Sequence, residues 1–238
     1  MPSSCLIVGA GDGLGAAIAR AFAAEGLFVC LTRRERHFEA AETLAGSIGN
    51  ARAFGVDARN EAEMISLVDC IEADIGPLEV VVFNIGANVR FGVRETTARV
   101  YSKVWEMAAF AGFLAGREAA RVMAPRRRGT ILFTGATASV RGGEGFAAFA
   151  GAKHALRALA QSMAREFGPL GIHVAHIVID GAIDGAFTRA NLPDAAARLA
   201  DGDILDPAEI ARNYVWVHRQ GRSAWTHEMD VRPWREHW

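Results

Sequence analysis

The stretch Leu6-Ile-Val-Gly-Ala-Gly-Asp-Gly-Leu-Gly15 passes from a short apolar run into four glycines at alternate positions, Gly9, Gly11, Gly13 and Gly15, and then into an Ala-rich helical pattern. A run of that kind reads as a buried strand and the pattern behind it as a helix, so the glycines occupy a tight strand-to-helix turn. Glycine lets the backbone turn sharply and approach a ligand closely, and the opening turn of a helix points free N–H groups at it. A dinucleotide pyrophosphate suits that arrangement. Leu14 stands where a GxGxxG motif counted from Gly9 would need a small residue, so the frame is Gly9-x-x-x-Gly13-x-Gly15. The same loop is compatible with a βα turn that holds no ligand, or with S-adenosylmethionine.

Working outward, short runs rich in Val, Ile, Leu and Phe alternate with longer helical patterns, the mark of repeated βα units around a parallel sheet. Strands are predicted at Cys5 to Val8, Phe28 to Thr32, Ala51 to Val56, Glu79 to Phe83, Thr130 to Thr134 and Ile172 to Ile179, with a further one in Ser223 to Val231. Helices are predicted at Leu14 to Glu25, His37 to Ile48, Glu61 to Ile75, Ala98 to Met123, Phe146 to Phe167 and Pro207 to Arg219, the last capped by Asp206. The fold class is α/β: a three-layer Rossmann fold whose doubly wound, mostly parallel sheet carries helices on both faces. One dinucleotide-binding domain spans 1–238. The segment from Asp180 to about Leu205, rich in Ala, Asp and Gly with Pro193 inside it, reads as a flap over the site.

Of the 238 residues 51% are hydrophobic and 22% charged, with a net charge of −1, which speaks against nucleic acid or an anionic membrane as partner. The basic run Arg126-Arg127-Arg128 reads as a solvated turn. Cys5, Cys30 and Cys70 have neither disulfide nor metal-ligand spacing and read as small core hydrophobes in a reducing compartment. No metal is expected. The N-terminus lacks the positive leader of a signal peptide, and no apolar window reaches the length of a membrane span, so the expected location is the cytoplasm.

At the end of the second strand the sequence reads Thr32-Arg33-Arg34, where an NAD site would place an acid on the ribose hydroxyls. Arginine there suits a 2′-phosphate and puts NADP(H) ahead of NAD(H). Asp12, inside the glycine loop, pulls the other way, and two guanidiniums outweigh one carboxylate. Arg33 also argues against a methyltransferase-like reading.

With Gly9, Gly13 and Gly15 in that frame, Asp57 in Val56-Asp57-Ala58, Asn84 and Gly86 in Phe83-Asn84-Ile85-Gly86, and Asp180-Gly181 followed by Ile183, the chain resembles the short-chain dehydrogenase/reductase family over nearly its whole length. The resemblance implies that Asp57 and Ala58 meet the adenine, that Asn84 and Gly86 end the strand beside the cofactor, and that Gly181 and Ile183 meet the nicotinamide. It implies a small carbonyl or alcohol substrate.

The resemblance also implies a serine, a tyrosine four residues before a lysine, and a helix asparagine, the tyrosine giving the proton and the lysine lowering its pKa. Here these positions hold Ala136, Phe149, Lys153 and Ala108. Lys153 remains, with a second role on the nicotinamide ribose. Losing a positioned general acid costs on the order of 10²–10⁴ in rate. Ser139, Thr137, Arg141 and Glu144 are the nearby candidates to replace it, with Phe146 and Phe187 as further pocket residues. Two function classes stay open: an NADP(H)-dependent oxidoreductase with an altered active site, or a catalytically impaired binder acting as sensor or assembly subunit. The resemblance implies pairing through the Ala-, Gly- and Phe-rich helices 98–123 and 146–167, as members of that family do, into a homodimer or homotetramer, and Trp216, Trp225, Trp234 and Trp238 suit an interface.

Overall fold

The computed structural model describes residues 1–192 and 194–235; Trp238, Pro193 and the side chain of Phe187 lie outside the described residues. Among these, seven strands, β1 (Ser4–Val8), β2 (Phe28–Arg33), β3 (Ala51–Gly55), β4 (Leu78–Phe83), β5 (Gly129–Thr134), β6 (Ile172–Ile179) and β7 (Glu228–Val231), form one parallel sheet in the order β3-β2-β1-β4-β5-β6-β7. The helices are α1 (Leu14–Ala24), α2 (Phe38–Ile48), α3 (Glu61–Cys70), α4 (Ala98–Trp105), α5 (Ala111–Met123), α6 (Ala147–Phe167), α7 (Ala186–Asn191), α8 (Ala195–Ala200) and α9 (Pro207–His218).

Both faces of the sheet are covered, which is why β1 reads as an unbroken apolar run. Leu6 and Val8 join a core layer with Met64, Leu114 and Leu156 of α3, α5 and α6. Cys5 and Ile7 join the opposite layer with Ile18 and Phe22 of α1 and Ile210 and Tyr214 of α9. The chain winds from β1 outward to β3, then crosses back to β4 on the other side of β1. The loops after β1 and β4 therefore diverge, and a crevice opens at the carboxyl ends of the strands.

Helix starts differ in a way that bears on function. Asn60 accepts from Ala62 and Glu63 N–H at 3.1 and 3.4 Å, Thr97 from Val100 N–H at 3.2 Å, and Asp206 from Ala208 N–H at 2.7 Å. At α1 the capping position is Gly13, and no side chain caps it. Its Ala16 N–H donates to the Gly11 carbonyl at 2.9 Å, and Gly13 and Leu14 line the crevice.

Several details depart from the sequence reading. The helices expected over 61–75 and 98–123 each contain a π-helical turn, at Ile71–Ile75 and Glu106–Phe110. The small residues of 98–123 serve partly inside the subunit: a Cβ at Gly112 would lie 2.5 Å from Leu156 Cδ1, and one at Gly116 2.8 Å from Met163 Sδ, so glycine permits the close approach of α5 to α6. Cys5 and Cys30 are core residues, whereas Cys70 is half-buried and its thiol donates to Asp74. The expected flap holds two short helices, α7 and α8. The closing strand begins only at Glu228, because Gln220 ties Thr226 into a turn and Trp225 stacks on His173 at 4.7 Å. Trp216 and Trp234 are exposed. The turn at 126–128 is solvated, with Arg126 paired to Glu72 and Arg128 to Glu79. No helix among the described residues is long and apolar enough to cross a membrane, and no group of His, Cys, Asp and Glu among them suits a metal.

One buried bond joins α9 to the sheet: Tyr214 Oη and Thr134 Oγ1 lie 2.7 Å apart. Tyr214→Phe strands one hydroxyl in the core and is expected to cost about 1–3 kcal/mol, read as a lowered urea midpoint at unchanged slope.

Candidate functional site

The crevice is a continuous groove with two ends that share Asn84, Ile85 and Gly86. The smaller end, about 280 Å³, is lined by Gly9, Gly11, Thr32, Asp57 and Ala58 together with Arg33, Arg34, Arg59 and His37. The larger, about 890 Å³, is lined by Asp12, Gly13, Leu14, Ala136, Phe149, Lys153, Gly181 and Ile183, among others. All residues expected on the cofactor line the groove except Gly15.

Gly15 acts from behind. A Cβ there would meet the Gly9 carbonyl oxygen at 2.8 Å and Ala10 Cα at 2.9 Å, so the start of α1 rests directly on the turn after β1. Gly9 has a φ of 94°, and a Cβ there would approach Ile85 Cγ1 at 2.9 Å. Asn84 Nδ2 donates to the Gly9 carbonyl at 3.1 Å, and Ala10 N–H donates to the Thr32 carbonyl at 3.1 Å, which pins the loop between β2 and β4. The cradle fits a pyrophosphate: backbone comes close, side chains are kept away, and the helix end is uncapped.

At the smaller end Arg33 Nη1 pairs with Asp12 Oδ1 at 2.9 Å, so the carboxylate that seemed to oppose an anion holds the guanidinium in place. Asp57 is taken by Arg59 through bonds of 2.9 and 2.5 Å, and these hydrogen bonds hold its carboxyl below the usual range. Arg34 forms no ion pair among the described residues. Sequence reading missed Arg59 and His37; the one signal available was a cation two residues beyond Asp57.

The larger end is apolar where the resemblance implies chemistry. Ala108, Phe149 and Ala138 share a small hydrophobic cluster, with Ala136 packed against it. Lys153 is buried beside them, its Nζ donating to the Thr134 carbonyl at 2.9 Å and the Ile85 carbonyl at 3.1 Å and lying 5.8 Å from the Phe149 ring centroid. Burial pushes its ammonium down to about 7. Of the candidate replacements, Thr137 and Arg141 line the groove and both bind Asp180, at 2.5 and 3.2 Å. Ser139 is fully buried with its Oγ accepting from Ala136 N–H, and Glu144 is exposed outside the lining. Phe146 lines the groove, as do Asn88 and Asn191, which sequence reading missed.

The glycines differ in what they tolerate. Gly9→Ala forces a side chain into the left-handed region against Ile85 and is expected to cost about 1–2 kcal/mol or more. Gly11, with open space where its Cβ would go, should accept Ala within about 0.5 kcal/mol. Chemical denaturation of the two variants checks the contrast.

Comparison with known proteins agrees with this geometry. The profile of the short chain dehydrogenase family matches residues 3–195. A crystal structure of a short-chain dehydrogenase from Rhodopseudomonas palustris is 46% identical, covers 98% of this chain and 99% of its own, and superposes with a TM-score of 0.83. The cyclic-di-GMP-binding biofilm dispersal mediator protein of Escherichia coli is 34% identical over 192 residues, 79% of this chain and 76% of its own. The structure of ElxO with NADP bound is alike in fold, with a TM-score of 0.87 at 19% identity and 97% of each chain covered. Some curated relatives are longer: the chain spans 63% of the length of the Melia azedarach (21S)-21-acetoxyl-apo-melianone synthase. With a matched profile over most of its length and a seven-stranded sheet in the order that builds the dinucleotide crevice, the chain belongs to the short chain dehydrogenase family.

Proposed function

We propose that the protein is an NADP(H)-dependent oxidoreductase that reduces a small carbonyl compound or oxidises the matching alcohol, with an active site in which Ala136 and Phe149 replace the family's serine and tyrosine. The observation that carries the reading is the groove itself, which joins a cradle for a pyrophosphate to a desolvated lysine. The bound cofactor would supply hydride. Gly9, Gly11, Gly13 and Leu14 line the pyrophosphate path, with Gly15 holding the turn, and Asp57 and Ala58 flank the adenine. Arg33, Arg34 and Arg59 surround the position a 2′-phosphate would take, and guanidiniums suit that group. Lys153, Asn84, Gly86, Gly181 and Ile183 belong to the nicotinamide end. The segment 180–205 closes the groove as a flap, supported by Asp184, Thr188, Asn191 and Leu192 in its lining.

Exposed Tyr101, Trp105 and Phe113, the last two bridged by a stack through Phe110, support pairing of copies into a homodimer or homotetramer. Free thiols and the absence of a spanning helix among the described residues support a cytoplasmic location.

A second reading, a sensor or assembly subunit that binds the dinucleotide without turning it over, is favoured by the wholly apolar positions 108, 136 and 149. A panel of small aldehydes and ketones separates the two. The oxidoreductase reading expects NADPH to be consumed with at least one of them. The second expects binding without consumption, and turnover only once Ala136→Ser and Phe149→Tyr restore the hydroxyls. For the cofactor end, Arg34→Ala is expected to weaken NADPH binding about tenfold or more and leave NADH within about twofold, the loss of one charge-assisted contact. Equal losses for the two cofactors would contradict a 2′-phosphate site.

A further inference from the structure

A carbonyl reduced in this groove needs a proton, and positions 136 and 149 carry no hydroxyl to give it. Among the other polar side chains of the larger end, Asn84, Asn88 and Asn191 are amides, which are not proton donors in acid–base chemistry, and the rest are engaged as follows. Thr137 Oγ1 donates to Asp180, Thr188 Oγ1 donates to the Ile183 carbonyl, and Thr134 Oγ1 bonds Tyr214 behind the wall. Asp12 is paired with Arg33, and hydrogen bonds from Arg189 hold the Asp184 carboxyl below the usual range, so Asp184 carries no proton to give near neutrality. Arg141 is a guanidinium and keeps its protons. His37 lies at the far, arginine-rich end.

Lys153 is left. Two of its N–H bonds go to the Thr134 and Ile85 carbonyls, and among the described residues nothing accepts the third. Its surroundings favour the neutral amine. The Phe149 ring lies on its own helix, α6, and the cluster of Ala108 and Ala138 adjoins it. From β6 the facing titratable group is His176, which burial holds down to about 4, hence neutral. Glu228 of β7 stands behind His176, bonded to it at 2.9 Å and to Arg157 of α6 at 2.6 Å. No carboxylate pairs with Lys153 among the described residues. The composition points the same way: of 26 basic Lys and Arg residues only Lys103 and Lys153 are lysines. A guanidinium at 153 would supply charge but could not release a proton.

We propose that Lys153 is the proton donor of the carbonyl reduction. This rests on the oxidoreductase reading, with NADPH as the hydride source and NADP⁺ as its oxidised product. As the carbonyl carbon accepts hydride, the π pair of C=O moves to oxygen. One N–H bond of the Lys153 ammonium breaks, its proton forms the alcohol O–H, and a neutral amine remains, which solvent reprotonates. In the oxidative direction the neutral amine takes the hydroxyl proton.

The test combines a titration and a variant. In protein labelled with [¹⁵Nζ]lysine the two side chains give two signals, Lys153→Arg assigns them, and the Lys153 signal is expected to titrate near pH 7. With the wild type, reduction at saturating NADPH is expected to be flat below about pH 7 and to fall tenfold per unit above it, while alcohol oxidation rises up to that pH. Lys153→Arg is expected to lose on the order of 100-fold or more in kcat at saturating NADPH. Reduction by that variant within about threefold of the wild type overturns the proposal alone, as does a Lys153 titration above pH 9 or a reduction rate unchanged from pH 6 to 9; the titration and the pH profile need no variant. Wild-type protein that binds NADPH but consumes none with any carbonyl overturns the oxidoreductase reading and this proposal together.

Discussion

The groove depends on one close approach, the packing of Gly15 onto the Gly9 carbonyl and Ala10. With a side chain at 15 the start of α1 could not lie against the end of β1. Because β1 is hydrogen-bonded to both β2 and β4, that contact fixes the first turn of α1 relative to the centre of the sheet. Asn84 ties the loop to the far side of the crevice and Arg33 ties Asp12 to the near side. An uncapped helix start, costly elsewhere, is then placed where an anion can satisfy it.

From that fixed point the groove divides its electrostatics by chemical type. Arg33, Arg34 and Arg59 stand at the solvated end, where a permanent charge on a planar donor is useful for holding an anion. The opposite end has Phe149, Ala136 and Ala108 around a single buried amine. Removing water there makes the ammonium costly and brings its proton within reach of neutral pH. Phe149 presents that amine with a ring and no hydroxyl.

Much of the fold was legible because parallel strands buried on both faces leave continuous apolar runs; β1, β4 and β6 fall within a residue or so of their expected bounds. The glycine turn was legible from the strand before it and the helix behind it. What escaped is which partner each polar side chain takes, near or distant in sequence. Arg59 is held at the smaller end by its neighbour Asp57 and by Glu106, 47 residues away. Ser139 looked available but turns inward to the backbone of Ala136, and Thr137 and Arg141 are claimed by Asp180, 43 and 39 residues away. Within the small-residue helix 98–123, Gly112 and Gly116 serve a close helix contact inside the subunit, which leaves the same small-residue pattern as a contact between subunits.

A dinucleotide carrying a 2′-phosphate on the Gly9–Gly15 cradle is the central claim, and calorimetric titration of the intact protein with NADPH, NADH and S-adenosylmethionine tests it most directly. The account predicts saturable binding of NADPH, tighter than NADH by about tenfold or more, and no binding of S-adenosylmethionine. Tighter binding of S-adenosylmethionine than of either nicotinamide dinucleotide, or no binding of any of the three, would contradict it.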